Sequence, residues 1–260
     1  MTAGSIDFER RGQIGWITIR NQAKRNAMAL HMWRQLDEVL GQATEDVRCI
    51  VIRGEGEQAF VSGADISEFA EKRRSPEDVA AYDAAADSAM ARLHKMPQPT
   101  VAMISGYCIG GGVALALCCD VRLAADNSQF AVPAARLGLG YGATGLKKLL
   151  DAVSVPVATD IMVSARRIAA TEAYQMGLVN RIFPADALKG EVEQYAESIT
   201  RNAPLTIRAA KRTIKELSRA NTAANISLCD QMAAACFASD DYAEGTRAFL
   251  EKREPRFLGK

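Results

Sequence analysis

The stretch "PTVAMISGYCIGGGVALALCCD", Pro99 to Asp120, decides the fold class. "PTVAMISG" is a continuous apolar run closed by a glycine, the pattern of a strand buried on both faces. "GGGVALALCCD" reads as a helix that starts at a glycine turn. Strand, glycine turn and helix in succession indicate an α/β sheet protein. Glycine allows positive φ and close backbone approach, so peptide N–H groups can point into a cavity. The first N–H groups of a helix are unpaired, and the helix dipole adds positive potential there. Between the glycines and Asp120 there is no acid, base or nucleophile stronger than cysteine. The stretch offers backbone donors without side-chain proton chemistry.

The same alternation extends on both sides. "GQIGWITIR" alternates with period two as a strand, and Met28, Met32, Leu36, Val39 and Leu40 follow at helical spacing. "VRCIVIRG" predicts a second buried strand, and a helix rich in alanine and charge is expected from about Pro76 to Lys95. "VRLAAD" and "SQFAVP" read as short strands, "TGLKKLLDAV" and "VATDIMVS" as helices. "ATEAYQMG" and "LVNRIFP" add one more helix and strand. Beyond about Leu188 the pattern is helical only, which marks a C-terminal region with apolar faces to bury on the site or on neighbouring subunits. The strand–helix alternation predicts mostly parallel sheets.

The 260 residues suffice for a substantial core. Lys plus Arg total 32 against 31 Asp plus Glu, so no basic field exists to attract nucleic acid or a membrane surface. Met1 to Arg20 carries Asp7, Glu9, Arg10 and Arg11 and reads as neither secretory signal nor membrane span. The six cysteines form no CxxC and are expected as reduced thiols in a cytoplasmic protein. Two histidines, His31 and His94, in no metal-ligand spacing argue against a metal site.

A second glycine turn, "VSGADI" (Val61 to Ile66), also follows a strand. Two such turns facing one another would supply two N–H donors to one oxygen anion, each worth roughly 3 to 4 kcal/mol in other enzymes. The alternative is glycine used only for tight strand-to-helix packing. A phosphate loop fits less well, because no lysine and hydroxyl pair follows the glycines.

"AFVSGADISEF", "GYCIGGG" with "CCD", "ARLGLGYGATG", "EAYQMGLVNRIFP" and "AFLEKREPRF" occur in this order over nearly the whole chain. Together they resemble the crotonase superfamily, the enoyl-CoA hydratase/isomerase relatives. The resemblance implies an α/β spiral of ββα units over residues 1–190, carrying an acyl-CoA site. A helical region for trimerisation and for a lid would follow over 191–260, with assembly as a homotrimer or dimer of trimers. The ligand implied is a coenzyme A thioester, with no other cofactor. Carried over by position, the oxyanion donors would be the N–H groups of Ala64 and Gly111, beside Gly110. Ala64, Asp65 and Ile66 would cradle the adenine, and Lys24 and Lys252 would meet the nucleotide phosphates unless they are solvated surface lysines.

Hydratases of this type use two glutamates to position and activate water. The corresponding positions here are Ala114 and Ala134. An alanine transfers no proton, so standard two-glutamate hydration does not follow from the resemblance, nor does the isomerase route that needs the second carboxylate. A methylmalonyl-CoA decarboxylase of this superfamily carries a tyrosine at what looks like the position of Tyr141. The dehalogenases' nucleophilic aspartate would fall on Gly142. Tyr141 could bind a substrate carboxylate, steer a proton to an enolate, or simply line the acyl pocket. Asp65 is expected to shape its own turn, Glu68 to be exposed, Asp120 to be structural, and Cys118 and Cys119 to pack in the core; Arg136 could meet an acidic acyl group or pair with a neighbour. Three readings stay open: an enoyl-CoA hydratase/isomerase-like enzyme, a decarboxylase of a malonyl-type thioester, and a non-catalytic acyl-CoA-binding protein.

Overall fold

The structure, a computed structural model, describes residues 4–65, 76–137, 139, 141–218 and 225–260. The chain opens with an antiparallel pair, β1 (Ser5–Arg11) and β2 (Ile14–Arg20). β1 was not foreseen. It is an edge strand whose alternate positions face solvent, so Asp7, Glu9 and Arg11 mask the apolar signal of Ile6 and Phe8. Helix α1 (Leu30–Leu40) then buries Met32, Leu36, Val39 and Leu40, as their spacing predicts, together with Trp33, whereas Met28, expected on the same stripe, lies before the helix and bridges to Ala64.

Two strands and a helix now repeat. β3 (Cys49–Gly54) and β4 (Ala59–Val61) precede α2 (Pro76–Lys95); β5 (Thr100–Ile104) and β6 (Tyr107–Ile109) precede α3 (Gly111–Cys118). β7 (Val121–Ala125) and β8 (Gln129–Ala131) lead into a 3-10 segment, Pro133–Leu137. The first strand of each unit joins one sheet, the second joins another. β10 (Arg181–Phe183) closes the larger sheet in the order β1-β2-β3-β5-β7-β10; the smaller runs β4-β6-β8-β9, with β9 at Ile168–Ala169. From β2 to β10 the larger sheet is parallel, as is β4-β6-β8. Each turn of the spiral therefore delivers the C-terminal end of a short strand and the start of a helix to the same edge.

Helices α4 (Ala143–Ala152), α5 (Val155–Ser164) and α6 (Ala170–Gln175) flank the smaller sheet. The main core fills the space between the two sheets and α1 to α5. A second core lies on the other face of the larger sheet, where α7 (Leu188–Thr200) inserts Leu188, Val192 and Ala196. The boundary expected at residue 190 falls inside α7, a helix packed on the sheet. Helices α8 (Pro204–Leu217), α9 (Ile226–Phe237) and α10 (Asp240–Glu251) follow. α8 is tied to the sheet by Lys211, whose ammonium donates to the Gln98 carbonyl (2.6 Å) and pairs with Asp120 (2.5 Å). Asp120 also accepts the N–H and hydroxyl of Thr100 at 2.8 and 2.9 Å, the structural role expected of it.

Between α8, α9 and α10 lies an apolar groove of about 850 Å³, with Ile214, Phe237, Tyr242 and Phe257 in its walls. Among the described residues no helix is long and apolar enough to cross a membrane. All six cysteines are free thiols, five of them buried, and burial pushes the Cys49 thiol up to about 12.

Helix α10 ends at Lys252, which adopts a left-handed conformation (φ 54°), and the Arg253 N–H returns to the Ala248 carbonyl at 3.1 Å. A side chain at this position costs on the order of 1 kcal/mol relative to glycine. Lys252→Gly is expected to raise the unfolding midpoint by a few degrees in thermal denaturation. If the ammonium also meets a nucleotide phosphate, the same variant will bind coenzyme A more weakly. An unchanged or lowered midpoint would contradict the strain argument.

Candidate active site

The site begins at a strained loop. Arg25 and Asn26 both take positive φ (52° and 57°), a conformation that side chains adopt only when neighbours enforce it. Asn26 is buried, and its amide donates to the carbonyls of Ala59 (2.7 Å) and Glu55 (3.0 Å) while its oxygen accepts the Asn21 N–H (3.0 Å). This pins the loop to the start of β4 and brings Met28 beside Ala64 in an isolated parallel bridge. The Met28 N–H donates to Gly63 O (2.8 Å) and its carbonyl accepts Asp65 N–H (3.0 Å). A residue that bonds both neighbours of Ala64 leaves the Ala64 peptide N–H directed to the opposite side. That side is where β6 runs next to β4.

There β6 has already ended. Gly110 turns the chain at φ 54°, ψ −111°, with its N–H on Ala131 O (2.8 Å), and α3 starts at Gly111. Gly112 presses the helix start onto β4: a Cβ there would lie 2.2 Å from the Val61 carbonyl oxygen. Gly63 in turn lies against the Ile109 carbonyl. Both glycine turns therefore meet at one edge, as the repeating unit requires. Neither the Ala64 nor the Gly111 N–H finds a partner among the described residues. A helix start adds positive potential to this opening.

Beyond this edge the walls are apolar. Ala114, one turn into α3 with its N–H on Gly110 O (3.1 Å), is buried, and Ala134, in the 3-10 segment, is buried in the main core. Tyr141 is half-buried against that core, its ring on Gly145. Burial, and more weakly the Cys118 thiol, hold its phenol above the ordinary range, so it remains a neutral donor at neutral pH. No hydrogen bond of its hydroxyl occurs among the described residues. Cys118 donates to Ala114 O at 3.1 Å within the helix, a packed thiol as expected. Arg136 is exposed and has no ion pair among the described residues.

Lys24 and Asp65, assigned separately to the nucleotide, meet each other. The ammonium lies 2.6 Å from the carboxylate, which is buried while the lysine is half exposed. The pair braces the strained loop against the turn. Lys252 is exposed at the end of α10. Ile66 and Glu68 lie outside the described residues. Sequence reasoning missed Gly112, Met28 and Asn26, because their roles arise from neighbours distant in sequence.

Residues 9–260 match the profile of the Enoyl-CoA hydratase/isomerase family. The chain belongs to that family. Its fold matches the crystal structure of an enoyl-CoA hydratase/carnithine racemase from Magnetospirillum magneticum with a TM-score of 0.93 and 34% identity, covering 98% of this chain and 96% of that one. In sequence it is 34% identical to the 2,3-dehydroadipyl-CoA hydratase of Escherichia coli, over 96% of this chain and 97% of the relative. It is 28% identical to the short-chain-enoyl-CoA hydratase of Clostridium acetobutylicum, over 98% and 97%. The crotonase fold and the family expected from the five motifs are thus correct. As an enoyl-CoA hydratase/isomerase-like protein it keeps the paired glycine turns and has methyl groups at positions 114 and 134.

Proposed function

We propose that this chain binds a coenzyme A thioester with its carbonyl oxygen between the Ala64 and Gly111 N–H groups, and stabilises the enolate formed there. The observation that supports this reading is that the two glycine turns pack against one another while neither amide has a partner among the described residues. The walls then select the reaction. With alanine at 114 and 134, a reaction that needs no carboxylate base fits best, and loss of carbon dioxide from a malonyl-type thioester is such a reaction.

In that reaction the bond between the α-carbon and the substrate carboxylate breaks. Its electron pair forms the enolate, whose oxygen takes charge between the two amides. Carbon dioxide leaves, and the α-carbon then takes one proton. In this reading Tyr141, a neutral phenol packed against the core, donates or relays it. Lys252 supplies positive charge toward the nucleotide phosphates, Lys24 joins it while paired with Asp65, and Ala64, Ile66 and Gly110 lie along the ligand. The exposed Ile214, Leu217, Phe237 and Leu250 of α8 to α10, with the apolar groove, support assembly as a homotrimer or dimer of trimers.

The test is a panel of malonyl-, methylmalonyl- and enoyl-CoA substrates. Decarboxylation of a malonyl-type member is the expected result. Tight binding without turnover of any member would replace this reading with that of an acyl-CoA-binding protein.

A further inference from the structure

A buried side chain, Trp33, and a partly buried one, Tyr82, connect the two glycine turns. Trp33 of α1 is buried and its ring edge faces Gly111: a Cβ on Gly111 would lie 3.8 Å from the Trp33 Cζ2. The indole N–H donates to the Tyr82 hydroxyl of α2 at 2.9 Å. That hydroxyl donates in turn to the Met28 carbonyl at 3.0 Å. The same carbonyl accepts the Asp65 N–H (3.0 Å), and the Met28 N–H holds Gly63 O (2.8 Å). A series of hydrogen bonds therefore runs from Trp33, whose ring faces the open side of Gly111, through Tyr82 and Met28 to both residues that flank Ala64.

We propose that Tyr82 is a positioning residue that sets the spacing and direction of the Ala64 and Gly111 N–H groups by clamping the Met28 carbonyl to the Trp33 indole. The inference rests on the oxyanion reading above. Hydrogen-bond satisfaction alone does not account for the arrangement, since the Met28 carbonyl already has a partner in Asp65. A second bond to the same oxygen adds direction. It acts where direction is hardest to keep, on a loop with two successive residues at positive φ. The Tyr82 hydroxyl is suited to this because it accepts from one side and donates to the other. A phenylalanine there would keep the ring and lose both bonds.

The experiment compares the wild type with Tyr82→Phe by the ¹³C resonance of a saturated acyl-CoA labelled at the thioester carbonyl. Binding to the wild type is expected to move the resonance downfield, because two N–H donors polarise the carbonyl. In Tyr82→Phe the downfield movement should shrink. Turnover of the substrate found by the panel should fall about 10- to 100-fold, with KM within a few-fold of the wild type. Circular dichroism establishes that the variant is folded. Should it not fold, Trp33→Phe breaks the same relay at its other end and is read the same way. A full wild-type carbonyl shift and turnover in the folded variant would overturn the inference alone. No downfield movement in the wild type would overturn the oxyanion reading itself and the inference with it.

Discussion

Crotonyl-CoA should be hydrated by this protein on the order of 10⁴-fold or more slowly than by a relative that carries both glutamates. General acid–base groups contribute about 10²- to 10⁴-fold each, and here two are replaced by methyl groups. The replacement cannot be offset by a neighbour already in view. Asp120 is held by Thr100 and Lys211, and Asp65 by Lys24. Ala114 and Ala134 are both buried, and each carries only a methyl group that can transfer no proton. The electrophilic part of the site is unaffected, so thioester binding should persist in the same assay. The measurement is loss of the conjugated thioester's ultraviolet absorbance, run beside a glutamate-containing hydratase under identical conditions. A rate comparable with that enzyme would refute the reading of both alanines.

How far this could be foreseen depends on where each signal sits along the chain. The alternation of strands and helices, the glycine turn at Gly110 and the two alanines are local, and the five motifs made their order recognisable. Edge strand β1 was missed because its solvent-facing charges dilute the period-two pattern. The pairing of Lys24 with Asp65, and of Trp33 with Tyr82, joins residues far apart in sequence, so no spacing rule reaches them. Met28 was expected only as one position of a helical stripe and Asn26 gave no signal, because their work on the Ala64 turn depends on a bridge formed only when the first loop meets β4. Gly111 could be singled out as a helix start, whereas the burden on Gly112 could not. Only the spiral places the Val61 carbonyl against it.

That difference leads to a pair of substitutions one residue apart with opposite expected outcomes. Among the described residues a methyl group on Gly111 would meet only the Trp33 ring, at the ordinary contact distance of 3.8 Å. Gly111→Ala should therefore keep or slightly raise the unfolding midpoint, since alanine favours helix over glycine by up to about 1 kcal/mol. A methyl group on Gly112 would lie 2.2 Å from the Val61 carbonyl oxygen and 3.0 Å from the Val61 Cβ. That oxygen is part of β4, which pairs with β6 and cannot swing aside as a side-chain tip can. Helix α3 must retreat, at a cost of roughly 1 to 3 kcal/mol for overpacking. The retreat also draws the Gly111 N–H away from the Ala64 turn, and a displacement of about 1 Å is enough to cost on the order of 100-fold in rate. Gly112→Ala is thus expected to lower the unfolding midpoint by several degrees, cut turnover about 100-fold or more and reduce the carbonyl polarisation seen by ¹³C resonance. Calorimetry with that spectrum separates the two effects. A Gly112→Ala protein with wild-type stability and carbonyl shift would mean that the close approach of α3 to β4 does not hold the two amides together.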